Sequence, residues 1–319
     1  MPSMAASTGK LPIRRHGGRW GAEATIKTLS WVSALAVPAV LGILFVFLLW
    51  RGVPGLSLAL FFGDAAPLDV LMHGTPVFEG LWFACLGTLA LVFLATVIAM
   101  PLGIASGIYL AEYASPRTRS VFSFCVDLLA GIPSILMGLF GFAMILLLRR
   151  TIMPDANTGL LLSALCLTLL ILPYLISTTR LSIEGLPSEL RLTGASLGLS
   201  HAQTIGRILL PAAAHGIFSG IILAVGRAAE DTAVILMTGA VANAGVPASL
   251  FGKYEALPFH IYYLAAEHQS PEQLTQAFAA ALILLCLTAA LFSLARLLHS
   301  HLEGRWSIGS RQKMTEAVN

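Results

Sequence analysis

Charge is what this sequence has least of: Asp, Glu, Lys and Arg make up 11% of its 319 residues, against about 25% in an ordinary soluble domain. That scarcity excludes a water-soluble globular enzyme, whose surface must be polar. Cysteine is also scarce, and Cys85, Cys125, Cys166 and Cys286 each stand inside an apolar run without CxxC spacing. Neither a disulfide framework nor a zinc site follows from them; they read as small core or lipid-facing residues. No HExxH helix and no paired nucleophile and base occur, which argues against an intramembrane enzyme. His299 and His301 are two apart, share no helical face and indicate no metal site. The formal charge of +3 is spread between apolar runs rather than gathered in a patch, so no nucleic-acid surface is indicated.

Apolar length is what the chain has in abundance. Hydrophobic residues make up 57% of it, and its mean hydropathy is +0.83. A bilayer core about 30 Å thick takes about 20 apolar residues per helix. Six stretches can cross, at 29–50, 80–110, 121–148, 159–178, 212–238 and 277–298; the excess in the second, third and fifth suits tilt or interfacial helix. The expected fold is all-α, a polytopic membrane protein with about six transmembrane helices. Alternate segments hold fourteen Lys or Arg against four, counting Arg296 at the end of the last span with the tail, so the positive-inside rule puts both termini in the cytoplasm.

The chain then divides into a basic cytoplasmic arm at 1–28, a first span with its outward loop at 29–79, a core at 80–298, and a cytoplasmic tail at 299–319. The arm carries Lys10, Arg14, Arg15, Arg19 and Lys27 and reads as a disordered or surface-lying segment attracted to anionic lipid. The apolar run after it is longer than a signal-peptide h-region, so no cleaved signal is expected. Outward segments hold Asp64, Asp69, Glu79, Asp155, Glu255, Glu267 and Glu272. An acidic outer face does not capture an anion by bulk charge; an anionic substrate needs a separate capture protein or a buried positive site. In the outward loop 239–276, Ile261, Tyr262, Tyr263 and Leu264 suit an interfacial aromatic belt, with a docking surface as the other reading.

Ionisable groups at membrane depth are costly and mark functional sites. Asp127 lies in a stretch where Pro133 removes a backbone donor and Gly131, Gly138 and Gly141 permit close helix approach. Two readings stand: a buried acid paired to fix packing, or a Gly-Pro bend in a pore-lining helix at a gate. The second place is the run Arg227-Ala228-Ala229-Glu230-Asp231-Thr232. Arg227 faces Asp231 at four residues and Glu230 at three, so pairing within the helix offsets part of the burial cost. One cation and two acids leave the cluster at −1, which calls for a further cation or a protonated acid. A structural salt bridge and a role in the substrate path or gating both fit.

Between the fourth and fifth spans, residues 180–211 read as helix, tight turn, helix. Gly198 suits the residue after a helix end, and Ser200 with Gln203 three later matches a capping box opening a second helix that stops before Pro211. Such a pair either lies on the bilayer surface or projects as a lever for a soluble partner.

Gly198, with Ile208 ten residues on and then Leu210 and Pro211, resembles the EAA loop of bacterial ABC importer permeases. The stretches PLGIASGIYLAEY at 101–113, GIPSILMGLFGF at 131–142, QTIGRILLPAAAHGIFSGIILAVGRA at 203–228 and LPFHIYYLA at 257–265 are similar to the permeases of phosphate-specific (Pst) importers, A-type subunit. The resemblance covers about residues 80–298 and implies a type I ABC importer permease fold in the bacterial inner membrane. It implies as partners a second homologous permease of the C-type, a dimeric cytoplasmic ATPase and a periplasmic phosphate-binding protein. The chain itself has Gly-Lys only at Gly9-Lys10 and Gly252-Lys253, without the GxxxxGK[ST] pattern. It is thus expected to bind no cofactor, and ATP-Mg falls to the partner ATPase.

The same resemblance makes 188–209 the loop that docks in the ATPase, with Gly198 as its turn. Two departures stand out. The family's glutamate position holds Leu192, with Glu189 one turn earlier, and its Arg and Trp before Gln-Thr are His201 and Ala202. The family's Arg-Ala-x-Gly-Glu-Thr is matched here with Glu230 at the glycine and Asp231 at the glutamate. Arg227 is then expected to contact or guide an anion, with Glu230, Asp231 and Thr232 setting its position and gating. A permease for another oxyanion or small solute is the alternative, since the loop identifies the transporter type better than the substrate. Gly103 with Gly107, and Gly216 with Gly220, are expected to flatten helix faces for packing, within the subunit or against the partner permease.

Overall fold

The computed structural model describes residues 19–63, 80–242, 244, 245, 247 and 249–316. The arm before Arg19 and the outward acids Asp64, Asp69 and Glu79 lie outside the described residues, as do the side chains of His299 and His301. The chain falls into two compact units, 1–50 and 51–319. Helix α1, Arg19–Gly52, makes up the described part of the first and carries Pro38 inside it.

Among the described residues of the second unit the named elements are all helical, with one isolated parallel β-bridge between Ala240 and Tyr254. After the short α2, Leu58–Phe62, come α3 (Leu81–Ile108), which ends in a π-turn at Tyr109–Tyr113, then α4 (Pro116–Gly131) and α5 (Ser134–Thr151). Next are α6 (Leu160–Glu184), α7 (Ser188–Ser196) and α8 (His201–Thr204), which continues through a π-turn at Ile205–Leu209 into α9 (Leu210–Glu230). The chain closes with α10 (Ala233–Thr238), α11 (Leu257–Glu267) and α12 (Pro271–Glu316). Among the described residues, six helices are long and apolar enough to cross a membrane: Thr25–Gly55, Leu81–Tyr113, Ser134–Thr151, Leu160–Glu184, His201–Glu230 and Pro271–Leu297.

The number of spans agrees with the apolar pattern, but two spans differ in kind. The stretch 121–148 is interrupted. Pro133 disfavours helical backbone in the residue before it, and Ile132 is extended with φ −71° and ψ 127°. The helix therefore ends at Gly131 and restarts at Ser134. The stretch 212–238 breaks at Asp231, which is extended with φ −77° and ψ 118°. Its carboxylate accepts a hydrogen bond from the Val234 N–H at 2.9 Å, a local bond of the kind that competes with helix continuation.

The second helix of the 180–211 segment does not stop before Pro211. It runs unbroken from His201 to Glu230, because the wider π-turn closes with Leu210 N–H on the Ile205 carbonyl. Pro211 then falls just past that turn, at the start of α9, where a missing N–H costs little.

Helix α6 is the centre of the bundle, with Leu167, Ile171, Leu175 and Ile183 fully buried. Both glycine pairs pack against it from inside the subunit. A Cβ on Gly103 would lie 2.5 Å from Leu175 Cβ, and one on Gly107 2.5 Å from Thr179 Cβ; Gly216 and Gly220 meet Ser182 and Thr178 in the same way. Thr168 ties α3 to α6 by donating to the Ala95 carbonyl at 3.1 Å.

Candidate functional site: an ion pair at a helix break and a capped loop

The two helix breaks lie side by side. Gly138 of α5 faces α10 so closely that a Cβ there would sit 3.0 Å from the Ala233 carbonyl oxygen, and Gly141 faces Thr238. With Gly138 opposite Val234 and Gly141 opposite Thr238, α5 and α10 run parallel, and the first turn of α5 after Pro133 stands level with Asp231. Thr238 donates to Ser163 Oγ at 2.8 Å and so fixes α10 to α6.

At this level Asp231 is buried, 3% exposed, and Arg227 Nη2 stands 3.5 Å from its Oδ2. That separation exceeds the 2.7–2.9 Å of a charge-assisted bond, so the carboxylate offsets the guanidinium's charge without accepting a hydrogen bond from it. Arg227 pairs with Asp231 and not with Glu230, which is exposed and forms no ion pair among the described residues. The pairing expected three residues apart is absent because Asp231 holds the C-terminal end of the helix while Glu230 turns outward. Thr232 is half-buried at the break. Asp127 is not a buried paired acid: it is exposed on α4 and forms no ion pair among the described residues.

The second site is the segment after α6. Gly198 has φ +70°, a left-handed conformation that suits glycine, and ends α7 with its N–H on the Ala195 carbonyl at 3.0 Å. Ser200 and Gln203 form the reciprocal capping box: Ser200 N–H donates to Gln203 Oε1 at 2.9 Å and Gln203 N–H to Ser200 Oγ at 3.3 Å. At the tip Glu189 is exposed, and so are Leu192 and Leu197. Ile208 is half-buried in the π-turn.

An anchor for this loop lies in residues the sequence reading passed over. Arg191 of α7 donates through Nη2 and Nε to Glu112 Oε1, at 2.6 and 3.1 Å, and to the Ile183 and Leu186 carbonyls. Glu112 sits in the π-turn ending α3, with its side chain 5% exposed. His201 Nε2 is 3.9 Å from the other Glu112 oxygen, and its ring meets Tyr113 edge-on at 5.0 Å. One carboxylate thus joins α3, α7 and α8. Its sequence signal was an acid at the end of an apolar span, GIYLAEY, facing nothing within a helical turn that could pair with it.

Glu255, between α10 and α11, is not a surface acid. It is 2% exposed and pairs with His260 Nδ1 at 2.9 Å, beneath a loop that Leu257 N–H fixes to Thr88 Oγ1. Beside it, burial pushes the Tyr254 phenol far above its ordinary range and keeps it neutral. Tyr262 and Tyr263 of α11 are exposed, as a belt or a docking surface requires. Among the described residues no three His, Cys, Asp or Glu side chains converge.

Two interrupted spans thus meet at an ion pair whose acid is buried, and one helix joins that pair to a capped helix–turn–helix, an arrangement suited to the membrane component of a transporter. The chain belongs to the family of binding-protein-dependent transport system inner membrane components, whose model matches residues 99–305. Curated relatives named phosphate transport system permease protein include PstA 1 of Mycobacterium tuberculosis, 34% identical over 66% of this chain and 68% of its own. PstA of Xylella fastidiosa is 31% identical over 82% and 87%, and PstA of Haemophilus influenzae 32% over 80% and 85%. A solved structure of the MetNI methionine ABC transporter in inward-facing conformations matches with a TM-score of 0.50 at 18% identity, over 76% of this chain and 99% of that one. That likeness places the fold with type I ABC importer permeases.

Proposed function

We propose that the chain is the A-type permease subunit of an ATP-driven inorganic phosphate importer and forms half of its translocation path. The relatives' shared name supports phosphate. The observation that carries the mechanism is the unbroken helix from His201 to Glu230. It begins at the capped turn of the loop and ends at the Arg227–Asp231 pair, about 40 Å along at 1.5 Å per residue.

On this reading both termini are cytoplasmic, and the 188–209 loop docks in a dimeric ATPase that binds ATP-Mg. A second, C-type permease completes the path, and a periplasmic phosphate-binding protein delivers the anion past an acidic outer face. Closure of the nucleotide sites displaces the loop, which moves as a unit because Arg191 and the capping box brace it. The helix carries that displacement to the break. There Arg227 offers fork-shaped donors to phosphate oxygens, and the exposed first turn of α5 adds the positive end of an 18-residue helix. Asp231 holds α10 and Arg227 in place, and the breaks at Pro133 and Asp231–Thr232 let the half-helices shift.

Arg227→Gln and Arg227→Lys test this in vesicles holding the whole importer at equal protein. Uptake of labelled phosphate is expected to fall at least about tenfold in the glutamine variant, the worth of one charge-assisted contact, and to recover partly with lysine. Parental uptake in Arg227→Gln removes the role.

A further inference from the structure

A cavity between the start of α4 and the last turn of α6 lies apart from the Arg227–Asp231 pair. It measures about 460 Å³ and is lined by Arg119, Ser120, Ser123, Arg180 and Glu184. Two guanidinium groups face one carboxylate, so its formal charge is positive. Arg119 is held in place by donating to the Leu110 and Ala111 carbonyls, each at 2.9 Å, with Nη1 3.5 Å from Glu184. Arg180 donates to Ser123 Oγ, which leaves the Ser123 O–H free to donate onward. Its Nε is buried without a hydrogen-bond acceptor, and the nearest Glu184 oxygen is 3.9 Å away.

Buried side-chain donors are nearly always partnered, and both contacts to Glu184 are longer than a charge-assisted bond. Glu184 therefore offsets one of the two positive charges without accepting a charge-assisted hydrogen bond from either arginine, and an orphan donor marks the wall. Ser120 and Ser123 are three apart on one face of α4, whose positive end opens at Pro116 on the same cavity. Fork-shaped donors, hydroxyls and a helix start together are the chemistry of a tetrahedral oxyanion site.

We propose that this cavity binds a phosphate group from the cytoplasmic side, a second anion site distinct from Arg227. The side rests on the orientation given under the proposed function. The group belongs either to free inorganic phosphate or to an anionic lipid headgroup. Its position matters for coupling, because the carbonyls that hold Arg119 belong to Leu110 and Ala111, next to Glu112, the anchor of the loop.

The test labels Ser120→Cys with a maleimide in the assembled transporter, in a Cys125→Ser, Cys286→Ser background. Nanodiscs are made of phosphatidylcholine with or without phosphatidylglycerol, and inorganic phosphate is compared with chloride at equal ionic strength. If the ligand is free phosphate, it slows labelling about tenfold at ten times its dissociation constant in neutral discs. If it is a lipid, phosphatidylglycerol slows labelling and free phosphate adds nothing. Arg180→Gln removes the protection in either case, and Ser123→Ala weakens it if Arg180→Gln does not assemble. Arg227→Gln leaves it unchanged even where uptake is lost, which separates this site from the transport reading. Equal labelling rates in all conditions, or protection that persists in Arg180→Gln, overturns the proposal.

Discussion

Replacing Arg191 by methionine keeps the length and apolar stem of the side chain and removes every bond that ties α7 to α3 and α6. Among the described residues, His201 at 3.9 Å is then the one basic group left paired with the buried Glu112. Breaking a buried pair from one side costs about 3–5 kcal/mol. Arg191 is 33% exposed, so water recovers part of that loss, and about 2 kcal/mol is expected. That is a shift of about thirtyfold in the balance between docked and released loop. The loop should still meet the ATPase, because Leu192, Leu197 and Glu189 at its tip are untouched, but its displacement no longer reaches the span as one unit. Phosphate uptake per ATP hydrolysed is therefore expected to drop by about an order of magnitude while hydrolysis continues. Both are read in the same proteoliposomes, with Arg191→Lys, which keeps the charge, giving a smaller loss. Parental uptake per ATP in Arg191→Met would refute the anchor.

Gly107→Leu forces a side chain into Thr179, where even a Cβ lies 2.5 Å from Thr179 Cβ; overpacking of this kind costs about 1–3 kcal/mol, seen as a lower melting temperature and less protein in the membrane. Asp231→Ala removes the acceptor for Val234 N–H and should cost about 1 kcal/mol from the cap alone, whereas Glu230→Gln, at an exposed position, should stay within about 0.5 kcal/mol. Equal thermal shifts for the two variants would contradict the division of roles between these neighbouring acids.

What was legible in the sequence is what is local or set by the bilayer. The turn at Gly198 and the Ser200–Gln203 box involve residues three apart, and their side chains meet whatever surrounds them. Spans follow from apolar length alone. The break at Ile132 had a signal in Pro133, yet the apolar run continues past it and reads as one helix. The break at Asp231 had less, since AVILMTG carries the apolar pattern on, and the competing bond from Val234 N–H to the Asp231 carboxylate shows only in the folded chain. The anchor was out of reach: Glu112 and Arg191 are 79 residues apart, and charge counting treats Arg191 only as a topological marker. Glu255 misled for the opposite reason, because an acid in an outward loop looks solvated until His260 closes over it.

The central claim is that this subunit carries phosphate through the membrane when ATP is hydrolysed elsewhere in the complex. The most direct measurement is ATP-dependent uptake of labelled phosphate into vesicles holding the chain with its partner permease, ATPase and binding protein, with sulfate and molybdate as competitors. Uptake that disappears when this subunit is omitted and that neither competitor reduces is the expected result. An assembled complex that hydrolyses ATP but takes up no phosphate, or one whose uptake sulfate or molybdate abolishes, contradicts it and turns attention to Glu230 and Asp231, where the chain departs from the family pattern.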